Sequence, residues 1–217
     1  MIRKLGGGIF ALALMGMATP SAASDMTGFG GVGIRGGTLF FTQDATTSEQ
    51  ATPRLSGDLV MSYNWTENLT ADVTIGWEWS KLDSGTDSFY VANIVPLFPV
   101  GLRYKLQPGK TMRPFVGGGG GLYNWSILSQ DLGAAKDPVT YERLRRVDFG
   151  VYAIAGFERE MSRHISMVGE GNYTRIFAGD EDLFPSGYSG PKAYFQVRLG
   201  VTFWFSLSER IDTGLPD

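Results

Sequence analysis

The sequence predicts an all-β fold, an eight-stranded antiparallel up-and-down transmembrane β-barrel behind an N-terminal signal peptide. Three observations lead there: segment after segment alternates between apolar and polar residues, the connections alternate between short and long, and aromatic residues gather at segment ends. The alternation is clearest in Leu69, Ala71, Val73, Ile75, Trp77 and Trp79 against Thr70, Asp72, Thr74, Gly76, Glu78 and Ser80. A soluble sandwich would cover such an oily face with a second sheet. The same pattern repeated along the chain with aromatic ends is what lipid covers.

Before the first strand, Arg3 and Lys4, the apolar run Leu5 to Met17 and the small residues Ser21-Ala22-Ala23 form the three parts of a secretory leader. The apolar run is shorter than the roughly 20 residues of a spanning helix, so residues 1–23 are expected to be cleaved rather than retained as an anchor. Residues 24–205 then form one barrel domain with no compositional break, and 206–217 form a periplasmic C-terminal tail. The absence of cysteine excludes a disulfide framework, thiolate metal sites and cysteine nucleophiles. With a net charge of -3 and no basic stripe interleaved with aromatics, nucleic-acid binding has no support.

Period two places strands near 29–41, 55–65, 69–80, 89–106, 112–125, 147–159, 165–176 and 193–205. The first strand has two phases, with Val32, Ile34 and Phe40 on one parity and Leu39 and Phe41 on the other, and a bulge near Gly36-Gly37 would reconcile them. On the second, Leu55, Leu59, Met61, Tyr63 and Trp65 face outward. On the fourth, the outward set is Ile94, Pro96, Phe98, Val100, Leu102 and Tyr104, leaving Val95, Leu97 and Pro99 to make part of the lumen apolar. In the fifth, the glycines of 117–121 signal a bend, a bulge or close backbone approach. The sixth presents Phe149, Val151, Ala153, Ala155 and Phe157 outward, and the eighth Val197, Leu199, Val201, Phe203 and Phe205. None of these outward residues is charged, as expected where a midplane Arg or Lys costs about 2 to 4 kcal/mol. With the amino terminus periplasmic, Trp65, Tyr104, Phe157, Phe203 and Phe205 form an inner aromatic girdle, and Trp77, Trp79, Tyr123, Trp125 and Tyr173 an outer one.

Residues Pro99-Val100-Gly101-Leu102-Arg103-Tyr104, then Arg113-Pro114-Phe115-Val116-Gly117, and later Gly169-Glu170-Gly171-Asn172-Tyr173, resemble the paired middle strands and the Glu-x-x-Tyr strand of the small eight-stranded outer-membrane barrels of Gram-negative bacteria. That superfamily includes the OmpA transmembrane domain, OmpX and OmpW. Arg198, Gly200, Phe203 and Phe205 are similar to its barrel-assembly signal, although the family usually stops at the final aromatic and this chain continues. The resemblance implies a monomer in the outer membrane after leader cleavage, in contact with lipid, lipopolysaccharide and the barrel-assembly machinery. It also implies an envelope-structural or surface-interaction role through extracellular loops, with a narrow OmpW-like conduit for small hydrophobic solutes as the alternative.

Inward positions carry Asp58, Asp72, Glu78, Arg103, Asp148, Glu158, Glu170 and Arg198, both signs together, in a lumen that eight strands barely open. Such charges persist when paired, so the expectation is a salt-bridged plug in which Arg103 and Arg198 meet carboxylates such as Glu170 and Glu78. Arg143, Arg145 and Arg146 stand where the third long loop re-enters the membrane and suit lipopolysaccharide phosphates. His164, Ser166 and Glu170 echo the His-x-Ser arrangement of the lipid A deacylases. Their predicted place at a periplasmic turn, with Ser166 and Glu170 about 13 Å apart along one strand, argues against a relay and against an enzyme. Asp180-Glu181-Asp182 lacks the ligand spacing of a calcium loop, and no cofactor or metal is expected.

Overall fold

The computed structural model describes residues 24–41, 51–52, 54–83, 89–129, 133–137, 139–177 and 193–207. Residues 1–23, expected as a leader, the acidic triplet at 180–182 and residues 208–217 of the expected tail lie outside these residues. Eight long strands form the barrel: β1 Phe29–Phe41, β2 Arg54–Asn64, β3 Leu69–Asp83, β4 Phe89–Lys105, β5 Met112–Leu128, β6 Arg145–Ser162, β7 Ile165–Ile176 and β8 Ala193–Ser206. Each pairs antiparallel with the next, and β1 pairs with β8, so no edge remains unpaired. The short segment Ala51–Thr52 continues the β2–β3 hairpin by pairing with Lys81 and Leu82. No helix among the described residues is long and apolar enough to cross a membrane, so the crossing is made by strands.

The connections after β2, β4 and β6 lie at one end, the turn end, with both ends of the barrel chain, and those after β1, β3, β5 and β7 lie at the other, the loop end, where all but the one after β3 are long. Strands β4, β5 and β6, at 17, 17 and 18 residues, exceed the roughly 9–11 needed to span a bilayer. Leu55, Leu59, Phe98, Val100, Phe149, Leu199 and Phe203 are exposed, an apolar outer belt of the kind that lipid solvates.

Phase is where the structure departs from the expected alternation. Strand β1 carries no bulge: its register against β2 and β8 runs unbroken through Gly36 and Gly37. Leu39 simply shares the inward parity of Arg35 and is buried in an apolar cluster inside the barrel. The irregularity sits in β4 instead. Pairing with β5 jumps from Leu97↔Leu122 to Val100↔Gly120, so Phe98 and Pro99 together oppose Gly121, and Phe98 takes φ 50°. The inserted residue reverses the parity above it. Ile94 and Pro96 therefore face the lumen, while Val95 and Leu97 turn outward. Only Phe98, Pro99 and the residues below keep their expected faces.

The glycine run of β5 answers a need for space. A Cβ on Gly119 would lie 2.1 Å from the Val100 carbonyl oxygen, and one on Gly101 would lie 1.9 Å from the Tyr152 hydroxyl. Tyr152 thus lies across the glycine track from β6, where any side chain would displace it. Above the track, Tyr123 and Trp125 are each 2% exposed and point inward, so neither belongs to the outer girdle. Trp77 and Tyr173 are exposed at that level, and Trp65, Tyr104, Phe157, Phe203 and Phe205 are exposed at the turn end.

Candidate functional site: the barrel interior

Because alternate residues of every strand point inward, the lumen collects the polar parity of all eight, and it is filled in three layers. The middle layer is ionic. Asp58, Asp72, Arg103, Glu170 and Arg198 meet there with Arg35, all of them buried. Arg103 Nε donates to Asp72 Oδ2 and its Nη2 donates to Asp72 Oδ1 at 2.9 Å, a bidentate pair. Ser62 Oγ donates to Asp72 Oδ1 at 2.6 Å, completing the carboxylate's shell. Arg198 bridges two strands, with Nη1 2.6 Å from Asp58 Oδ2 and Nη2 2.5 Å from Glu170 Oε1. Arg35 joins the same Glu170 oxygen at 3.2 Å and approaches Asp72 at 3.9 Å. Three guanidinium groups therefore interleave with three carboxylates, which offsets their mutual repulsion and the loss of water.

Toward the turn end, Glu158 collects cations: Lys105 Nζ at 3.5 Å, Arg103 Nη1 at 3.7 Å and Arg113 Nη1 at 3.8 Å. Aromatic faces take up the remaining surface of these cations, with Arg103 over Phe115 at 5.3 Å and Lys105 over Trp204 at 5.4 Å. Lys105 also donates to Asn64 Oδ1 at 3.2 Å. At this end Asp25, outside the strands, accepts the Thr27 amide at 2.9 Å, which holds its carboxyl below the usual range.

At the loop end the lumen becomes apolar. Leu39, Ile94, Tyr123, Trp125, Ile127, Ile176 and Tyr194 converge from five strands, and Ala135 and Leu144 of the β5–β6 connection join them. That connection folds back by hydrogen bonds from the Ala135 amide to the Ile127 carbonyl at 2.9 Å and from the Leu144 amide to the Ala135 carbonyl at 2.8 Å. Asp137 accepts the amides of Val139 and Thr140 at 2.7 and 2.9 Å and shapes its tip. Between the ionic and apolar layers remains a cavity of about 20 Å³, lined in part by Glu78, Pro96, Pro99 and Tyr152, room for one water molecule.

The partners differ in one respect from those expected. Arg198 takes Glu170, but Arg103 takes Asp72 and Glu158, and Glu78 sits a layer higher beside Tyr194 and Gln196. Asp148 is drawn to the rim, where it accepts the Trp125 indole N–H at 2.7 Å and pairs with Arg146 at 2.8 Å. Arg146 is thereby committed to the barrel mouth, whereas Arg143 and Arg145 are exposed. Period-two reading passed over Arg35, Lys105 and Arg113. Lys105 shares the parity of Arg103 and Arg113 that of Phe115, but Arg35 was obscured by the apparent double phase of β1.

His164, Ser166 and Glu170 do not converge. His164 lies in the β6–β7 turn with Nδ1 3.2 Å from the Trp204 carbonyl oxygen, Ser166 Oγ accepts the Trp204 indole N–H at 2.8 Å, and Glu170 is held by Arg35 and Arg198. Gly200 of β8 lies under Arg35, since a Cβ there would be 2.6 Å from Arg35 Cγ and 2.4 Å from the Ile34 carbonyl oxygen. Arg198 is inside, and Phe203 and Phe205 are exposed on the outer wall. Among the described residues no three His, Cys, Asp or Glu side chains cluster to hold a metal ion.

Residues 9–203 match the family model described as outer membrane protein beta-barrel domain. No curated protein matches the sequence. Solved structures with the same fold include Neisserial surface protein A, at 10% identity and a TM-score of 0.54, covering 84% of this chain and 100% of that one. OprG from Pseudomonas aeruginosa has 13% identity and a TM-score of 0.54, with 83% and 97% covered. The attachment invasion locus protein Ail of Yersinia pestis, in complex with a heparin analogue, has 10% identity and a TM-score of 0.52, with 83% and 100% covered.

Proposed function

The chain belongs to the outer membrane protein β-barrel domain family, and on that premise we propose that it is a closed, non-enzymatic barrel with an envelope-structural or surface-interaction role. In this orientation the turn end is periplasmic and the long connections are extracellular. One observation carries the reading: the lumen is occupied by interleaved Arg35, Arg103 and Arg198 with Asp58, Asp72 and Glu170, beneath an apolar cluster, and the space between them is about 20 Å³. A hydrated ion or an apolar solute would have to displace buried charge pairs to pass, and separating such pairs is costly. The working surface is therefore the extracellular end. Exposed Arg143 and Arg145 suit lipopolysaccharide phosphates, and exposed Val139 and Tyr141 give the β5–β6 connection an apolar tip. The assembly machinery is expected to read β8, and the folded barrel to be a monomer. Planar-bilayer recordings test the reading: the purified barrel is expected to give no ohmic current steps, and steady conductance through the wild-type protein would replace this proposal with that of a narrow conduit.

A further inference from the structure

At the periplasmic mouth of the barrel Ser24 is half-buried and Met26 buried, while Asp25 between them is exposed. The Gly28 amide donates to the Asn64 carbonyl at 2.8 Å. The Ser24 carbonyl accepts Arg113 Nη2 at 3.2 Å. The backbone nitrogen of Ser24 faces a single carboxylate, standing 3.3 Å from both Oε1 and Oε2 of Glu160, while Ser24 Oγ donates to Oε1 at 2.7 Å. Glu160 is held in turn by Arg113, and its side chain is only 9% exposed.

A peptide nitrogen suits this place poorly, because it offers one hydrogen and no charge to two anionic oxygens. An ammonium group offers three hydrogens and a positive charge, and charge-assisted bonds of this kind are about twice as strong as neutral ones. The charge of the mouth accommodates it. Arg113 and Lys105 stand against Glu158 and Glu160, and Asp25 and Glu67 line the adjoining cavity of about 90 Å³. The bond before Ser24 is the one that follows Ser21-Ala22-Ala23, the small-residue pattern of a signal-peptidase site.

We propose that the Glu160 carboxylate is the docking site for the α-ammonium group that cleavage between Ala23 and Ser24 releases, so that processing latches the amino terminus into the barrel mouth. The proposal rests on the reading of residues 1–23 as a removable leader. In the cleavage, water adds across the peptide bond: its hydroxyl goes to the Ala23 carbonyl carbon, giving a carboxylate, and a proton goes to the Ser24 nitrogen. At neutral pH that amine takes up one further proton. The Ser24 nitrogen, as an ammonium, then forms an ion pair with Glu160, and Arg113 Nη2 joins both the carboxylate and the Ser24 carbonyl oxygen.

The intact mass of the barrel purified from outer membranes comes first: a start at Met1 would overturn the leader reading and the latch together, and a start at any residue other than Met1 or Ser24 would overturn the latch alone. With a Ser24 start, reductive methylation of the α-amine at neutral pH is followed by mass spectrometry of the N-terminal peptide. The reaction is expected to run at least ten-fold slower in the folded wild type than in the same protein unfolded by boiling, and at least ten-fold slower than in folded Glu160→Gln. Asp25→Asn, at a carboxylate engaged with the Thr27 amide, should match the wild type. An α-amine that reacts equally fast in the folded and boiled wild type overturns the latch and leaves the leader reading intact, whether or not Glu160→Gln folds.

Discussion

Arg103 ties more of the lumen together than any other residue described above. It is 1% exposed, forms a bidentate pair with Asp72, approaches Glu158 and lies over Phe115. Its removal would strip Asp72 of its main cation, because Arg35 lies 3.9 Å away and is shared with Glu170. Breaking one partner of a buried pair typically costs about 3 to 5 kcal/mol, since the other charge stays buried. Arg103→Ala is therefore expected to lower the urea midpoint of the barrel in detergent, or to admit water and raise conductance. Arg103→Ala with unchanged stability and no current would show that Asp72 is not held by this pair. The double variant Arg103→Met, Asp72→Leu should recover much of the loss, because it removes both charges and leaves apolar surface.

The bulge of β4 is the feature that decides which residues fill the upper lumen. Phe98 takes φ 50° beside Pro99, whose missing N–H suits a place where the ladder is already interrupted. Deleting Phe98 would remove the doubled outward pair Leu97 and Phe98 and restore strict alternation with Ile94 and Pro96 still inward, so the apolar layer that Ile94 shares with Trp125 and Tyr194 would be kept. Folded protein recovered from the membrane fraction is expected to stay near the wild-type amount, and a sharp fall would show that the bulge itself is needed to close the barrel. Phe98→Gly should fold nearly as well as the wild type, since glycine adopts positive φ without strain. Strand β8 makes a second test. Gly200→Val would drive a side chain into the Ile34 carbonyl and Arg35, and Phe205→Ala would remove an exposed aromatic at the inner rim. Both are expected to reduce the heat-shifted band, while truncation after Ser206 should be tolerated. Equal loss on truncation would move the assembly signal from the strand to the tail.

Closure of all eight strands predicts the behaviour of the intact protein. With β1 paired to β8 along Phe29↔Ser206 to Phe41↔Tyr194, no edge is available from which detergent could peel the sheet. The barrel should resist SDS at room temperature, run at a different gel mobility only after boiling, and fractionate with the outer membrane. Recovery as a soluble periplasmic protein would contradict the lipid-facing assignment of Ile34, Leu55, Leu59, Phe98, Val100, Phe149 and Leu199.

Alternation is a local property of each strand, and it was enough to locate all eight strands, their order in an up-and-down barrel, and the faces of β2, β6 and β8. It even brought Asp58, Asp72, Glu78, Arg103, Glu158, Glu170 and Arg198 to the inside without any knowledge of contacts. Three features escaped it. The β4 bulge moves one residue out of phase, and Pro96-Leu97-Phe98-Pro99 contains nothing that says where the phase breaks. Tyr123 and Trp125 looked like girdle residues because an aromatic near a strand end satisfies either face, and only the inward parity of β5 relative to Phe115 separates the two. Which cation meets which carboxylate depends on strand stagger and barrel closure, which bring Arg198 of β8 to Asp58 of β2 and Ser24 to Glu160 across the mouth. These distances join residues far apart in the chain, and they exist only once the sheet has closed on itself.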